Sequence, residues 1–192
     1  MTRPASISIV LVLFLLALTV SPVASVGASS TATTFVFAGA TKPAWVVVND
    51  GVMGGVSSSK VADTSGVLRW SGRVRLENKG GFASVRSPSL TKTTNAAMAA
   101  GTSIRLRLRG STTAFNVTLQ TAGEWFWAEL TPSPKQSSTV VIPYARFLPR
   151  TRFGEPLSGA PYAGQPLVNI GVIISNGRAE AFRLDIDALA VE

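Results

Sequence analysis

The feature that most constrains this chain is the run Ile104-Arg105-Leu106-Arg107-Leu108-Arg109-Gly110, where aliphatic and guanidinium side chains alternate. A period of two places the aliphatic residues on one face of an extended segment and the three arginines on the other. The run therefore predicts a β-strand with one buried face. Phe115, Val117 and Leu119 alternate with polar residues in the same way. Further β-rich runs are Phe35-Val36-Phe37, Trp45-Val46-Val47-Val48, the stretch Val67 to Leu76, and a segment carrying Phe82, Val85 and Arg86. Others are Trp125 to Leu130, Thr139 to Pro143, Ile170 to Ile174, and Ala181 to Leu189. Helix signals are nearly absent: only Asn95 to Ala100 has the composition for a turn or two before Gly101 ends it. Many short strands, separated by Gly, Pro, Ser and Asn clusters with no helix between them, predict an all-β sandwich or barrel.

Composition narrows the chemistry. The chain has 192 residues, no cysteine and no histidine. The first absence removes disulfides, thiolate metal sites and thiol nucleophiles; the second removes the commonest general base and metal ligand. No catalytic pair or nucleophile–base arrangement is visible among the ten acidic residues, so the chain is read as non-enzymatic, with no cofactor and no metal. Arg3 precedes an apolar run from Ile7 to Leu18, and the small residues Val26-Gly27-Ala28 follow. That order is the one of a secretory signal peptide, and the run is too short for a bilayer span. The expected organisation is a signal peptide at 1–28, a short linker at 29–34 and one β-sandwich domain at 35–192. It places the mature chain in the secreted or periplasmic space, with no transmembrane segment. The net charge of +8 falls to +7 once Arg3 is gone and favours acidic partners. The basic residues are dispersed, however, and nucleic acid is not among the expected ligands.

Two segments stand out. Asn49-Asp50-Gly51-Val52-Met53-Gly54-Gly55-Val56-Ser57 reads as a turn, with glycine serving a left-handed conformation or the close approach of another group. Glu77-Asn78-Lys79-Gly80-Gly81-Phe82-Ala83-Ser84-Val85-Arg86 reads as a second Gly-Gly turn, a hairpin loop or a binding rim. Taken in order, these two segments resemble the signature of the complex I intermediate-associated protein 30 family. The resemblance continues in Ile104 to Gly110, in Val141-Ile142-Pro143-Tyr144 with Phe147 and Pro149, in Ile170-Gly171-Val172, and in Phe182 to Ile186. It covers about residues 35–190. The resemblance implies a galactose-binding-like jelly roll of two antiparallel sheets, and a non-catalytic, chaperone-like role in assembling NADH:ubiquinone oxidoreductase. This chain departs at its N-terminus, where a secretory-type segment stands in place of a mitochondrial one.

The expected function is thus an exported binding or assembly domain whose loops contact a partner protein, with a jelly-roll carbohydrate-binding module as the alternative. Trp45 ahead of the first segment, Asp50 and Met53 within it, and Asn78, Phe82 and Arg86 in the second, are the candidate contacts. Arg105, Arg107 and Arg109 form a stripe that grips an acidic surface or, on the plainer reading, pairs with cross-strand carboxylates such as Asp185 and Asp187. Trp125 and Trp127 point to one side of their strand; if exposed, they make a stacking platform for sugar rings, and if not, they are core.

Overall fold

Twelve strands form among the residues described by the computed structural model of the chain, 33–35, 45–64 and 66–192. The expected signal peptide at 1–28 lies outside them, as do most of the linker and the pair Val36-Phe37. No helix among the described residues is long and apolar enough to cross a membrane.

The first sheet runs in the order β3 (Ser58–Thr64), β4 (Val67–Arg73), β12 (Ala181–Val191), β6 (Ser103–Gly110), β9 (Ser138–Pro143), with β1 (Thr33–Phe35) also paired to β12. The second runs β10 (Leu148–Arg150), β8 (Trp125–Leu130), β7 (Phe115–Gln120), β11 (Asn169–Ile174), β5 (Ala83–Arg86), β2 (Val46–Asn49). Every pairing is antiparallel. The expected two-layer antiparallel fold is what forms.

The layers meet where the period-two pattern places them. Ile104, Leu106 and Leu108 of β6 are fully buried and share one core with Phe115, Val117 and Leu119 of β7 in the opposite sheet. Trp70 lies at the centre of an aromatic cluster, its ring 4.6 Å from Phe182 and 6.0 Å from Phe115. Burying a side chain of this size contributes roughly 2–3 kcal/mol, and a favourable ring pair about 1 kcal/mol more. In β12 the alternation changes phase. Phe182, Leu184 and Ile186 face the core, a bulge falls between Ile186 and Ala188, and Leu189 and Val191 then face the core again. The extra residue of a bulge is what lets the strand keep one buried face across the slip.

Three local expectations are corrected. The stretch Val67 to Leu76 is strand only to Arg73, and it leads into β5 of the other sheet, so the Gly-Gly segment at 80–81 is a crossover between layers and not a hairpin loop. The helix is longer than a turn or two. It spans Lys92–Ala100, because the Thr91 hydroxyl accepts from the Thr94 amide and caps its start. Gly101 ends it in extended backbone, where a Cβ would meet Val191 and the Tyr144 hydroxyl. Finally, β3 and β10 form where no strand signal was noted, since Ser-Ser-Lys-Val-Ala-Asp-Thr and Leu-Pro-Arg lie at sheet edges and need no apolar face.

Candidate functional site

Asp50 organises one end of the molecule. The strand β2 ends at Asn49, and a single turn of 3-10 helix over Asp50–Met53 follows, closed by Gly54 at φ +86°. The turn directs the Asp50 carboxylate inward, where it is fully buried. Its Oδ1 accepts the Ser57 amide at 2.9 Å, and its Oδ2 accepts the Ser57 hydroxyl at 2.5 Å and the Gly81 and Phe82 amides at 2.7 and 3.3 Å. The Arg75 amide donates in turn to the Ser57 hydroxyl at 2.9 Å. One side chain thereby ties the end of β2, the entry to β3, the exit of β4 and the crossover into β5. Burial alone would push this carboxyl up. The hydrogen bonds from the Ser57 hydroxyl and from the Gly81, Ser57 and Phe82 amides outweigh it and hold the carboxyl below its ordinary value.

The two Gly-Gly pairs have the same division of labour. Gly54 and Gly81 take positive φ, at +86° and +138°. Gly55 and Gly80 make room: a Cβ on Gly55 would collide with the Asp50 carboxylate, and one on Gly80 would lie 2.5 Å from its Oδ2. Asp50 and Asn78, expected as ligand contacts, are therefore placed differently. Asp50 is an internal tie, and Asn78 is an exposed turn residue in the left-handed region at φ +56°. Trp45 is half-buried and packs against the core.

What the tie holds up is the wall of a groove of about 800 Å3 on the outer face of the second sheet. Val52, Met53 and Leu76 stand exposed along this wall, beside Lys79 and Phe82. The floor carries Arg86 of β5, Ile173 of β11, Gln120 of β7 and Trp125 of β8. Arg152 and Phe153 close the opposite side, and the Arg152 guanidinium lies 4.5 Å from the Phe153 ring. Arg86 faces Gly171 across the β5–β11 pair, where a Cβ would be only 3.3 Å from its stem. The gap left by this glycine gives the arginine a path over β11, and its Cζ sits 4.9 Å from the Trp125 ring. Burial pushes the Arg86 pKa down from its ordinary value.

The groove brings together Met53, Phe82, Arg86 and Trp125 of the expected contacts, and leaves the others elsewhere. Trp127 is buried, with 5% of its surface exposed, because the turn at 151–154 lies over it: a Cβ on Gly154 would be 2.7 Å from the indole. The pair of exposed indoles therefore does not form. Arg105, Arg107 and Arg109 lie on the far side of the molecule, on the first sheet. They pair with Glu192 at 2.6 Å, Asp187 at 3.7 Å and Asp185 at 3.2 Å, which is the plainer of the two expected readings. Leu76, Lys79, Arg152 and Phe153 were not singled out from sequence. Arg152 and Phe153 fall in the Pro- and Gly-rich connection after Phe147, where no periodicity announces which side chains converge.

Comparison with known proteins agrees with this architecture. No curated protein matches the chain. Among solved structures, the family 11 carbohydrate-binding module from Clostridium thermocellum, in complex with a β-1,3-1,4-mixed-linked tetrasaccharide, is similar at a TM-score of 0.54 and 15% identity, over 82% of this chain and 94% of that one. The family 11 module of the cellulosomal cellulase Lic26A-Cel5E of the same organism is similar at a TM-score of 0.52 and 16% identity, over 77% and 86%. An agarase is similar at a TM-score of 0.54 and 14% identity, over 82% of this chain but only 26% of its own. At these identities the likeness is one of fold. The sequence pattern of complex I intermediate-associated protein 30 matches residues 35–186, a span that contains the Asp50 tie, both Gly-Gly pairs and the groove floor, and the chain belongs to that family.

Proposed function

We propose that this chain is a non-enzymatic binding domain of the assembly type, which holds a segment of a partner protein in the groove on the outer face of its second sheet. The observation that carries the reading is the exposed aliphatic wall. Val52 keeps 73% of its surface exposed, Met53 48% and Leu76 44%, all beside one concave face. Aliphatic side chains held in water next to a groove mark a surface that another apolar surface covers. Their position does not depend on a partner, because Asp50 fixes the turns that carry them. Membership of a family named for association with complex I intermediates supports a protein partner. The leader-like segment at 1–28 supports a site of action outside the cytoplasm.

The test is quantitative co-purification of the tagged chain from its own cells. A double substitution Met53→Glu with Leu76→Glu is expected to lower recovery of a specific co-purifying protein at least about tenfold, while Arg107→Glu on the far sheet leaves it unchanged. Equal recovery with all three forms would remove the groove as the binding face.

A glycan ligand is the second reading, and one observation favours it: three aromatic rings, Phe82, Trp125 and Phe153, line the groove in a fold shared with a module solved in complex with a tetrasaccharide. Sugars also need directional polar partners. Among the lining residues the uncharged polar side chains are Gln120 and Ser175, and the Gln120 carbonyl already accepts from Asn169 at 2.7 Å. The protein reading therefore leads. Retardation of the chain, abolished by Trp125→Ala, in a gel containing mixed-linked β-glucan would reverse that order.

A further inference from the structure

Six guanidiniums among the described residues pair with a carboxylate. Arg69, Arg109 and Arg183 share Asp185, Arg105 has Glu192, Arg107 has Asp187, and Arg75 has Glu77. Arg86 has none. Among the described residues its guanidinium makes no hydrogen bond and no ion pair, and its one partner is the face of Trp125. It is also half-buried, at the floor of the groove and not on open surface. A cation taken partly out of water without a counter-charge is unfavourable on its own account, and a cation–π contact restores only part of the lost hydration. The surroundings add to the imbalance. Lys79 and Arg152 stand on the two sides of the same groove, and no aspartate or glutamate lines it.

We propose that the groove is built for an acidic segment of a polypeptide, in which one Asp or Glu carboxylate pairs with Arg86 while flanking apolar side chains lie on Val52, Met53 and Leu76. The proposal rests on the groove reading above and adds the chemistry of what it binds. Charge complementarity decides the sign of the ligand. The aliphatic wall decides its class, since an acidic glycan would leave three exposed aliphatic side chains facing hydroxyl groups. Arginine suits the task because its planar fork meets a carboxylate with two parallel hydrogen bonds and can keep its stacking contact on the indole while doing so. Lys79 and Arg152, nearer the rim, supply longer-range attraction that speeds encounter more than it tightens the complex.

The experiment uses the whole chain and two matched sets of fluorescent twelve-residue peptides. One set carries Asp or Glu between Leu, Val and Phe; the other replaces each acid by its amide. The expected result is that the best acidic peptides bind at least about tenfold tighter than their amide partners, a difference that Arg86→Gln erases and Arg86→Lys partly restores. Raising the salt should narrow the difference. Melting curves report whether each variant is folded, and Arg152→Gln at the rim gives a second reading, a smaller loss of acid preference, should Arg86→Gln unfold. Equal binding of both sets, abolished by Met53→Glu with Leu76→Glu, would overturn the acidic proposal and leave the groove reading intact. Binding that survives that double substitution, or that Arg105→Glu with Arg107→Glu removes instead, would overturn both. So would failure of every peptide alongside retention of an oligoglucan or an oligouronate.

Discussion

Among the described residues two carboxylates are buried, and the molecule holds them in opposite ways. Asp50 is surrounded by neutral donors: two from Ser57 and the backbone amides of Gly81 and Phe82. Asp185, on the outer face of the first sheet, is surrounded by cations: Arg183 at 2.8 Å, Arg109 at 3.2 Å and Arg69 at 3.8 Å. Both carboxyls lie below their ordinary value, although burial pushes each of them up. For Asp50 the opposing force is hydrogen bonding alone; for Asp185 it is hydrogen bonds from Arg183 and Arg109 together with the nearby charges of Arg183 and Arg69. The lesson concerns permanence. Amides in a fixed turn cannot swing away, so Asp50 sets backbone geometry. The arginine side chains around Asp185 are 42–56% exposed, so water competes with the carboxylate for them and that cluster tunes a surface.

The comparison is broken most severely at Asp50. Asp50→Ala leaves buried donors without an acceptor and is expected to cost about 3–5 kcal/mol, read as a large fall in melting temperature or in the denaturant midpoint. Asp50→Asn should recover little of that loss, because its amide group would present donors to donors. Gly55→Ala, whose methyl would invade the carboxylate, is expected to cost about 2–3 kcal/mol, whereas a Cβ on Gly51 meets nothing within 4 Å and Gly51→Ala should be nearly neutral. Equal melting temperatures for the two alanine variants would refute the tie. Asp185→Asn is expected to cost less, about 1–2 kcal/mol, since water reaches the stranded arginines.

The smallest effect is the most discriminating. Each carboxyl has a lowered folded value, so its contribution is fully present above about pH 4 and is lost as the pH falls through that folded value. Stability should therefore decline on the acid side, with part of the slope removed by each substitution. Moderate salt should weaken the part that Asp185→Asn removes and spare the part that Asp50→Asn removes. Equal salt sensitivity of the two parts in urea titrations at pH 3 to 6 would show that the two carboxylates are held alike.

How much of this was legible in the residues varies from place to place. The layers were, because Ile104 to Gly110 and Phe115 to Leu119 state their period outright. The bulge in β12 was not, since Asp187-Ala188 continues an alternation that the chain then abandons. The two Gly-Gly segments declared themselves unusual, and Gly54 takes the positive φ that a turn there requires. That Gly55 and Gly80 clear space for the same side chain is a fact about positions 25 residues apart that become neighbours only once β2 has paired with β5 and β3 with β4. Trp125 and Trp127 read alike on their strand; the turn carrying Gly154 covers one and leaves the other at the groove.

What the sequence determined by itself is the two-layer antiparallel fold and the family, because strand periodicity and turn chemistry act between residues close along the chain. What the tertiary structure decided is which conspicuous side chains are ties and which are surface. Asp50 turned inward because four donors from separate segments converge on it, and Arg86 was left at a groove floor with no acid near it. Burial and counter-charge are properties of what surrounds a side chain, and those surroundings exist only once distant segments have packed.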